Sequence, residues 1–589
     1  MTFGRCLAIA AVLVATTASA TAPAASAAAR SSALAVSARR VAAGSVGTPA
    51  AGVPAGLPLR LGLGVSAEPD ASGLYGWMAD SGVAWDYAYT YLAGGVNTGT
   101  GWATWNAAGQ YPLSYARGAA ARHAVPVFPY YQLLQSAGPC ATCDEGAKDL
   151  AHLDDPATMA AYFADFRLLM QRLGPGTYDG VAGFGGTAVV HVDPDLSGYA
   201  QQAVLDNARC SGHCTGQGND PAFLHASVRS SGVADVAGYA DTYAGYNAAL
   251  LHLRDVYAPN VVMAFHVSNW AALQDVGSSQ DPALDAAALG RQVGAFAAAA
   301  GVSSVPAGTS TYDLVVNDVA DRDAEYYLAR WGVAEWWDRL NVTLPNFTRW
   351  ETYLGAITAT TGRRALVWQV PEGNQYFRSV DGTDGHTADN RAEYFFAHPD
   401  ELVRIGVIGV LYGAGNAGST RHDDNLGDGV TNPPARCTAD GVSSGVVCND
   451  HVSTVADDDG GYLRMAGASY YRAPLSLTAP GPQPAALTLA ASPRLYADAA
   501  RPVALSAALT ASATGGPVSG QPVTFAVRPA GSAVWTALGT AATDGAGRAA
   551  WTVARPQGGD YRASTSGSAD WQPAGSGLVP IRVYLARER

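Results

Sequence analysis

The chain has 589 residues, with 49 acidic against 36 basic side chains and a formal net charge of −13. Such a chain lacks the basic face that neutralises phosphates, so we expect no nucleic-acid partner. Charged residues make up only 14% of the chain while glycine, tyrosine and tryptophan are plentiful, a composition that favours a stable extracellular domain over a disordered chain.

The N-terminus has the three parts of a secretory signal peptide. Arg5 precedes an apolar run over residues 7–15, and Ala-x-Ala cleavage motifs follow at residues 18–20 and 25–27. The run is too short to span a bilayer, and no later segment offers about twenty uninterrupted apolar residues. We predict a signal peptide over residues 1–27, a secreted, extracellular mature protein and no transmembrane segment.

Six cysteines follow the predicted signal peptide, in three close pairs. The pairs are Cys140/Cys143, Cys210/Cys214 and Cys437/Cys448. In an exported chain an even number of cysteines predicts disulfides, each closing a local loop. A zinc site formed by the C-x-x-C at Cys140 with Cys210/Cys214 as its partner pair is the weaker alternative, because an oxidising compartment favours disulfides.

The next segments predict a leader and then a large domain. Residues 28–58 have hardly any large side chains and predict a flexible leader. Between residues 59 and 478, eight short apolar runs end in polar or glycine turns, as buried strands do. These runs cover residues 61–65, 83–89, 124–130, 189–192, 261–267, 312–316, 365–370 and 407–412.

Helical patterns separate most of these runs, as at residues 235–257, 281–299, 325–338 and 389–405. Alternating strands and helices predict a parallel sheet, and eight units predict closure into a (β/α)8 TIM barrel, an α/β fold. A doubly wound sheet is the alternative. Its first strand normally leads into a glycine-rich phosphate turn, and residues 62–67 lack the third glycine of that motif.

The end of the chain differs in character from the barrel. A proline-rich linker is predicted over residues 479–485, and residues 486–589 show short alternating runs at 487–491, 503–509, 523–527, 549–553 and 579–584. This spacing predicts a small all-β sandwich. The turn at residues 543–549, which leads into Trp551, resembles that of bacterial immunoglobulin-like modules, and the resemblance implies a spacer or a weak binder.

Carboxylates follow several of the predicted strands. In a barrel of this kind the active site lies at the carboxyl ends of the strands. Asp193 follows the fourth run, Asp318 the sixth and Glu372 the seventh. Hydrolysis of a glycosidic bond needs one acid to protonate the leaving oxygen and a second carboxylate to attack the sugar or activate water. Asp193 with Glu372, or Asp193 with Asp318, are therefore the candidate catalytic pairs.

The barrel, signal peptide and C-terminal module together resemble a secreted bacterial glycoside hydrolase. In the largest superfamily of barrel glycosidases the acid/base follows strand four and the nucleophile follows strand seven, which implies Asp193 and Glu372. That superfamily has an Asn-Glu pair after strand four, where this chain has His191-Val192-Asp193. Barrel enzymes resembling α-galactosidases place an Asp nucleophile after strand four and an Asp acid after strand six, which implies Asp193 and Asp318.

Side chains suited to a sugar stand near the same strand ends. Aromatic faces pack against the C–H faces of sugar rings, and amides and histidines reach the hydroxyls. The predicted substrate-binding residues are His191, His266, Asn269, Trp270, Trp368, Gln369 and Asn374. His191 and His266 can also bind a metal with Asp193, but a second strong ligand pair is missing, so we predict no catalytic metal.

The predicted function is extracellular glycoside hydrolysis of a polysaccharide or oligosaccharide, with no required cofactor. The alternatives are a non-catalytic barrel that binds glycans and a metal-dependent hydrolase. Residues 421–429 are rich in oxygen ligands, which makes this loop a candidate structural Ca²⁺ site or else a solvated acidic loop. The sugar, the linkage, the stereochemical outcome and the oligomeric state are not determined by the sequence.

Overall fold

The structure is a computed structural model. It describes residues 52–67, 76–303, 309–374, 388–413, 419–422, 442–443, 446–447, 459, 462–477, 485–493, 496–498, 501–511, 516–568 and 571–584. The predicted signal peptide, most of the predicted leader, the linker at residues 479–484, the Cys437/Cys448 pair and all but two residues of the candidate calcium loop lie outside these ranges.

Eight parallel strands close into a barrel, in which each strand pairs with its neighbours in chain order and the first pairs with the last. The strands are β1 (Gly62–Ser66), β2 (Tyr87–Tyr89), β3 (Val125–Tyr130), β4 (Ala188–Val192), β5 (Val261–Val267), β6 (Leu314–Asp318), β7 (Arg364–Val370) and β8 (Val407–Tyr412). The prediction of a closed, eight-stranded parallel barrel is confirmed, and each predicted run contains or overlaps its strand.

Helices lie between successive strands, as in a TIM barrel. They are α1 (Gly76–Asp80), α2 (Tyr111–Ala121), α3 (Glu145–Leu153), α4 (Pro156–Leu173), α5 (Leu196–Leu205), α6 (Asn207–Cys210), α7 (Tyr243–Tyr257), α8 (Ala286–Ala297), α9 (Ala324–Trp331), α10 (Phe347–Thr361), α11 (Arg391–Ala397), α12 (Pro399–Arg404) and α13 (Tyr462–Tyr470). The strands are buried on both faces; all seven residues of β5, for example, are buried between the barrel interior and the helices.

All four predicted helices are shorter than the sequence patterns indicated. The patterns at residues 235–257 and 281–299 become α-helical only at Tyr243 and Ala286. The pattern at residues 389–405 is divided into α11 and α12, because Pro399 has no N–H to donate and disfavours helical backbone at His398. The pattern at residues 325–338 ends at Trp331, since Gly332 takes a left-handed conformation with φ of +65° and donates its N–H to the carbonyl of Leu328.

The C-terminal residues form two further sheets around a separate hydrophobic core. The strands are β9 (Ala485–Ser492), β10 (Tyr496–Asp498), β11 (Val503–Ala511), β12 (Pro522–Pro529), β13 (Thr536–Ala542), β14 (Arg548–Val553), β15 (Gly559–Thr565), β16 (Ala574–Gly575) and β17 (Val579–Tyr584). One sheet has the order β9-β11-β14 and the other β10-β17-β15-β12-β13, with β16 paired to β15. All pairs are antiparallel except β10 with β17.

This all-β module contains all five predicted runs and four strands that the sequence did not reveal. The missed strands are polar or made of small residues, so the alternation of apolar and polar side chains is weak in them. The turn between β13 and β14 is closed by Asp544, whose carboxylate accepts the N–H groups of Ala546 and Arg548. The immunoglobulin-like identity of the module stays a prediction.

Two of the predicted cysteine pairs form disulfides. Cys140 bonds to Cys143 and Cys210 bonds to Cys214, with Cα atoms 5.3 and 5.9 Å apart. Because each pair is closed on itself, these four thiols are not the ligands of a shared zinc ion. Within the described ranges, no helix combines the length and the apolar composition needed to cross a bilayer.

Candidate functional site

A cavity of about 270 Å³ lies at the carboxyl ends of the barrel strands. Its walls come from the start of α3, from the segments that follow β4, β5 and β6, and from the end of β7, which is where barrel enzymes bind their substrates. The lining residues are Glu145, Asp195, Tyr199, Asn269, Trp270, Asp275, Gly277, Asp318, Val319, Ala320, Asp321, Tyr327, Glu335 and Gln369.

Asp195 and Asp318 reach this cavity from two different strands. Asp318 is the last residue of β6. Asp195 stands three residues beyond the end of β4, after Pro194, and precedes the first residue of α5. Its backbone has φ of +74°, a conformation that costs a non-glycine residue free energy and that is concentrated at functional sites. Gln369, also in the lining, has φ of +58°.

His266 lies between these two carboxylates. Its Nε2 atom is 3.6 Å from an oxygen of Asp195 and 3.4 Å from an oxygen of Asp318, and its side chain is fully buried. The same nitrogen is 3.0 Å from the hydroxyl of Ser268, while Nδ1 is 2.9 Å from Nε2 of His191. Contacts at both ring nitrogens therefore orient His266, and the Nε2 edge of its ring faces the two aspartates.

The two histidines differ in protonation. Burial lowers the pKa of His266, but the hydrogen bond and negative charge of Asp318 and the charge of Asp195 outweigh that effect, so its pKa is raised above the ordinary value. Burial, and then the neighbouring His266, lower the pKa of His191 well below its ordinary value. His266 can therefore donate from Nδ1 to Nε2 of a neutral His191.

The surroundings of Asp195 favour its protonated form. Burial raises the pKa of its carboxyl to about 7; His266 opposes this shift, while the negative charges of Asp318, Glu145 and Asp321 add to it. A carboxyl with this pKa is still half protonated at neutral pH, which is the property of a general acid. Asp318 lies slightly closer to His266 than Asp195 does, with its oxygen 3.4 Å from Nε2.

Other carboxylates of the lining also hold protons more tightly than in water. Burial raises the pKa of Glu335 to about 7 against the opposing charge of Arg391, and the charges of Asp275, Asp389 and Asp321 contribute. Burial also raises the pKa of Glu145 and of Asp275. The cavity is thus a region where negative charges are crowded and partly removed from water.

Asp193 does not line this cavity. Its side chain is 3% exposed, and Oδ1 accepts the backbone N–H groups of Gln132 and Leu133 at 2.9 and 3.0 Å. Oδ2 accepts the hydroxyls of Tyr162 and Tyr246. The backbone of Asp193 has φ of +30°, which ends the alternation of side chains along β4 and turns this carboxylate toward the loop after β3. Asp193 therefore belongs to a hydrogen-bond network that joins the segments after β3 and β4.

Glu372 and Asn374 also lie outside the lining. Glu372 is fully buried, and its Oε1 is 2.6 Å from Nδ1 of His422. Asn374 donates its side-chain N–H to the carbonyl of Asp459 at 3.1 Å. The sequence-based pairs of Asp193 with Glu372 and of Asp193 with Asp318 are therefore not brought together in the cavity. Of the three predicted catalytic carboxylates, only Asp318 lines it.

Four of the seven predicted sugar-binding residues lie in or next to the cavity. Asn269, Trp270 and Gln369 line the cavity, and His266 contacts its two central aspartates. Trp368 is buried with its ring edge-on to His191, at a centroid distance of 4.8 Å, and supports the histidine pair. The ring of Trp270 packs against α5 at Gly198, where a Cβ atom would lie 2.7 Å from the ring, so a larger residue would push the indole from the wall.

Several lining residues were not selected from the sequence. The carboxylates among them are Glu145, Asp195, Asp275, Asp321 and Glu335, and the aromatic residues are Tyr199 and Tyr327. Asp195 had one usable signal, because it follows Pro194 just beyond the end of the β4 pattern. Glu335 and Tyr327 had none, since they reach the cavity only through the path of the chain after β6.

Asp195, His266 and Asp318 can also hold a metal ion. One ligand atom from each lies within 4.8 Å of those of the other two. Ligand atoms around a tetrahedral zinc ion are about 3.4 Å apart, given metal–ligand distances near 2.1 Å, and the two Nε2–oxygen distances are close to this value. The hydrogen bond between His266 Nδ1 and His191 is the second contact that a metal-binding histidine usually makes.

No family model matches the chain, and a search of curated proteins finds no significant match. The function is therefore argued from the fold and from the geometry of the cavity.

Proposed function

We propose that this protein is an extracellular glycoside hydrolase in which Asp195 is the acid/base and Asp318 the nucleophile. The observation that carries the proposal is the meeting of these two carboxylates, from the ends of β4 and β6, across His266 in a cavity at the mouth of the barrel. The pKa of Asp195, raised to about 7, suits a general acid, and Asp318 is the second carboxylate within reach of the same histidine.

The two residues perform the two steps of a double displacement. The carboxylate of Asp318 attacks the anomeric carbon, while Asp195 gives its proton to the leaving oxygen as the glycosidic bond breaks. Asp195, now ionised, then takes a proton from water, and the resulting hydroxide attacks the same carbon and frees Asp318. His266 stabilises whichever aspartate is ionised, because it lies within 3.6 Å of both.

The separation of the carboxylates favours retention of configuration at the anomeric carbon. The ligand oxygens of Asp195 and Asp318 lie within 4.8 Å of each other. Retaining glycosidases have carboxyl groups about 5–5.5 Å apart, whereas inverting ones leave about 6.5–9.5 Å for a water molecule. The resemblance to α-galactosidase-like barrels implied an aspartate after each of the same two strands, with the roles the other way round and with Asp193 in the place of Asp195.

The walls of the cavity and the organisation of the chain support a sugar substrate. Trp270 and Tyr199 form one wall with ring centroids 4.7 Å apart, and Asn269 and Gln369 supply amide groups for hydroxyls. The predicted signal peptide and the two disulfides favour action outside the cell.

Product release from a broad polysaccharide panel tests the proposal. The wild-type chain is expected to release sugar, while Asp195→Asn and Asp318→Asn each lose at least about a thousandfold in rate. The matched control is Asp179→Asn, in an exposed turn between α4 and β4, which is expected to keep full activity. Equal release by wild type and both cavity variants would reject this catalytic pair.

A metal-dependent hydrolase is the second candidate, favoured by the metal-compatible spacing of Asp195, His266 and Asp318. Here a bound ion would activate water, and the three side chains would be its ligands. Extensive dialysis against a chelator separates the two proposals. The carboxylate mechanism expects unchanged activity, while the metal mechanism expects a loss that one divalent ion restores.

A further inference from the structure

The polar lining of the cavity is dominated by carboxylates. Six of the fourteen lining residues are acidic, and none is lysine, arginine or histidine. Four of the six have a cationic partner: Asp195 and Asp318 share His266, Asp321 has Arg322, and Glu335 has Arg391. The remaining acidic residues are Glu145 and Asp275.

Glu145 and Asp275 have no ion pair within the described part of the chain. Glu145 accepts the hydroxyl of Tyr131 at 2.8 Å, and Asp275 accepts the N–H of Gly277 and the hydroxyl of Ser278, both at 2.8 Å. These neutral donors orient the carboxylates without cancelling their charge. Two uncompensated negative charges therefore face the same enclosed space, where they strongly favour a cationic ligand.

The position of these charges fits an organic cation better than one metal ion. Glu145 begins α3 and Asp275 follows β5, so they approach the cavity from different segments. Among the described residues the one group at metal-binding distance is Asp195, His266 and Asp318, which neither of them joins. The wall of Tyr199 and Trp270 offers aromatic faces that attract both an ammonium group and the C–H face of a sugar ring.

We infer that the substrate of this cavity is a glycan whose sugars carry free amino groups, protonated to ammonium. This inference rests on the proposed glycoside hydrolysis and names its substrate class. Ammonium groups would donate to Glu145 and Asp275, on either side of the catalytic pair, while the sugar rings pack on Trp270. N-acetylation removes the positive charge and leaves these carboxylates without a partner, so acetylated glycans are poor ligands.

Binding of matched oligosaccharides tests the charge requirement directly. Glucosamine and galactosamine oligomers are compared with fully N-acetylated oligomers of the same length, by calorimetry with the full mature chain at mildly acidic pH. At least one amino oligomer is expected to bind ten times more tightly than its acetylated form, and added salt is expected to weaken that binding. Asp275→Asn is expected to weaken it about fivefold, and Asp179→Asn to leave it unchanged.

The outcomes separate this inference from the proposed function. Equal or tighter binding of the acetylated oligomers, or no binding of either amino oligomer, overturns the inference. If neutral glycans are cleaved and amino glycans are neither bound nor cleaved, hydrolysis stands and the charge requirement fails. If amino oligomers bind with the expected dependence on Asp275 and are never cleaved, the charge requirement stands and the hydrolase proposal fails.

Discussion

The role of the Asp193 carboxylate can be tested directly, because the sequence and the structure indicate different roles for it. The sequence predicts a catalytic residue, whereas the structure buries the side chain and surrounds it with four donors. We therefore expect Asp193→Asn to reduce stability. A catalytic carboxylate at a cavity would instead tolerate the same change in the folded state and lose only activity.

The size of the effect follows from the contacts. Asn keeps one oxygen acceptor, so it can satisfy either the two backbone N–H groups or the two tyrosine hydroxyls. The tyrosine hydroxyl oxygens can instead accept a hydrogen bond from the new amide N–H. The main loss is therefore the charge-assisted character of the bonds that remain. Hydrogen bonds to charged groups contribute about 1.5–3 kcal/mol each. Burial nevertheless raises the pKa of Asp193, so removal of its charge offsets part of this loss, and the free energy of unfolding should fall by about 1–3 kcal/mol.

Urea denaturation followed by tryptophan fluorescence measures this change. Asp179→Asn is the matched control, since it alters an exposed side chain in a turn and should shift the free energy of unfolding by less than about 0.5 kcal/mol. An Asp193→Asn protein as stable as the wild type and without activity would refute the structural role and restore the catalytic one.

Three further predictions concern pH and stereochemistry. Because Asp195 must be protonated and has a pKa of about 7, kcat/KM should fall tenfold per pH unit above about 7, as measured by a pH–rate profile on the first substrate found. Proton NMR of the first product should show the anomer of the substrate; the opposite anomer would contradict the double displacement. Glu351 holds a proton in the folded state because burial, and then Glu401, raise its pKa from 4.5 to about 8. The contribution of Glu351 to stability is complete below about pH 4.5 and is lost as the pH rises to about 8. The free energy of unfolding of Glu351→Gln should therefore equal that of the wild type in acid and exceed it by about 1–3 kcal/mol at pH 8. Thermal unfolding across this pH range measures the difference.

The acidic cavity also has a consequence for stability. Asp195→Asn removes a half-buried charge that repels Asp318, Glu145 and Asp321 and attracts His266. Because the net effect of these surroundings is a pKa raised to about 7, this variant should unfold at the same or a higher temperature than the wild type while losing activity. A lower unfolding temperature, measured by calorimetry, would mean that Asp195 stabilises the turn after β4 by contacts beyond its charge.

The barrel was predictable because its signal is local. A strand buried on both faces needs a short continuous apolar run, and a helix that covers it needs a repeat of about 3.6 residues, so both leave a pattern in neighbouring residues. Runs such as residues 261–267 and 407–412 coincide with β5 and β8. The strands missed in the C-terminal module, such as Thr536–Ala542, have small and polar side chains and leave no such pattern.

The candidate site was predictable only as a region. Strand order in a barrel brings the carboxyl ends of all strands to one mouth, so an acidic residue after β6 was expected to face the cavity, and Asp318 lines it. The neighbouring binding residues Asn269, Trp270 and Gln369 followed from the same rule. That rule could not predict which of the two aspartates after β4 points into the cavity, because the alternation of side chains stops where the strand ends.

The sequence by itself determined the order of strands and helices, the closing of the barrel and the mouth at which polar residues gather, since each depends on side-chain character along a short stretch of chain. The tertiary structure alone decided that Asp195, and not Asp193, faces Asp318. Left-handed backbone at Asp193 and Asp195 turns one carboxylate into the wall and the other into the cavity. The conformation of Asp193 is held by donors from a distant segment, the N–H groups of Gln132 and Leu133, and contacts between distant segments exist only once the chain has folded.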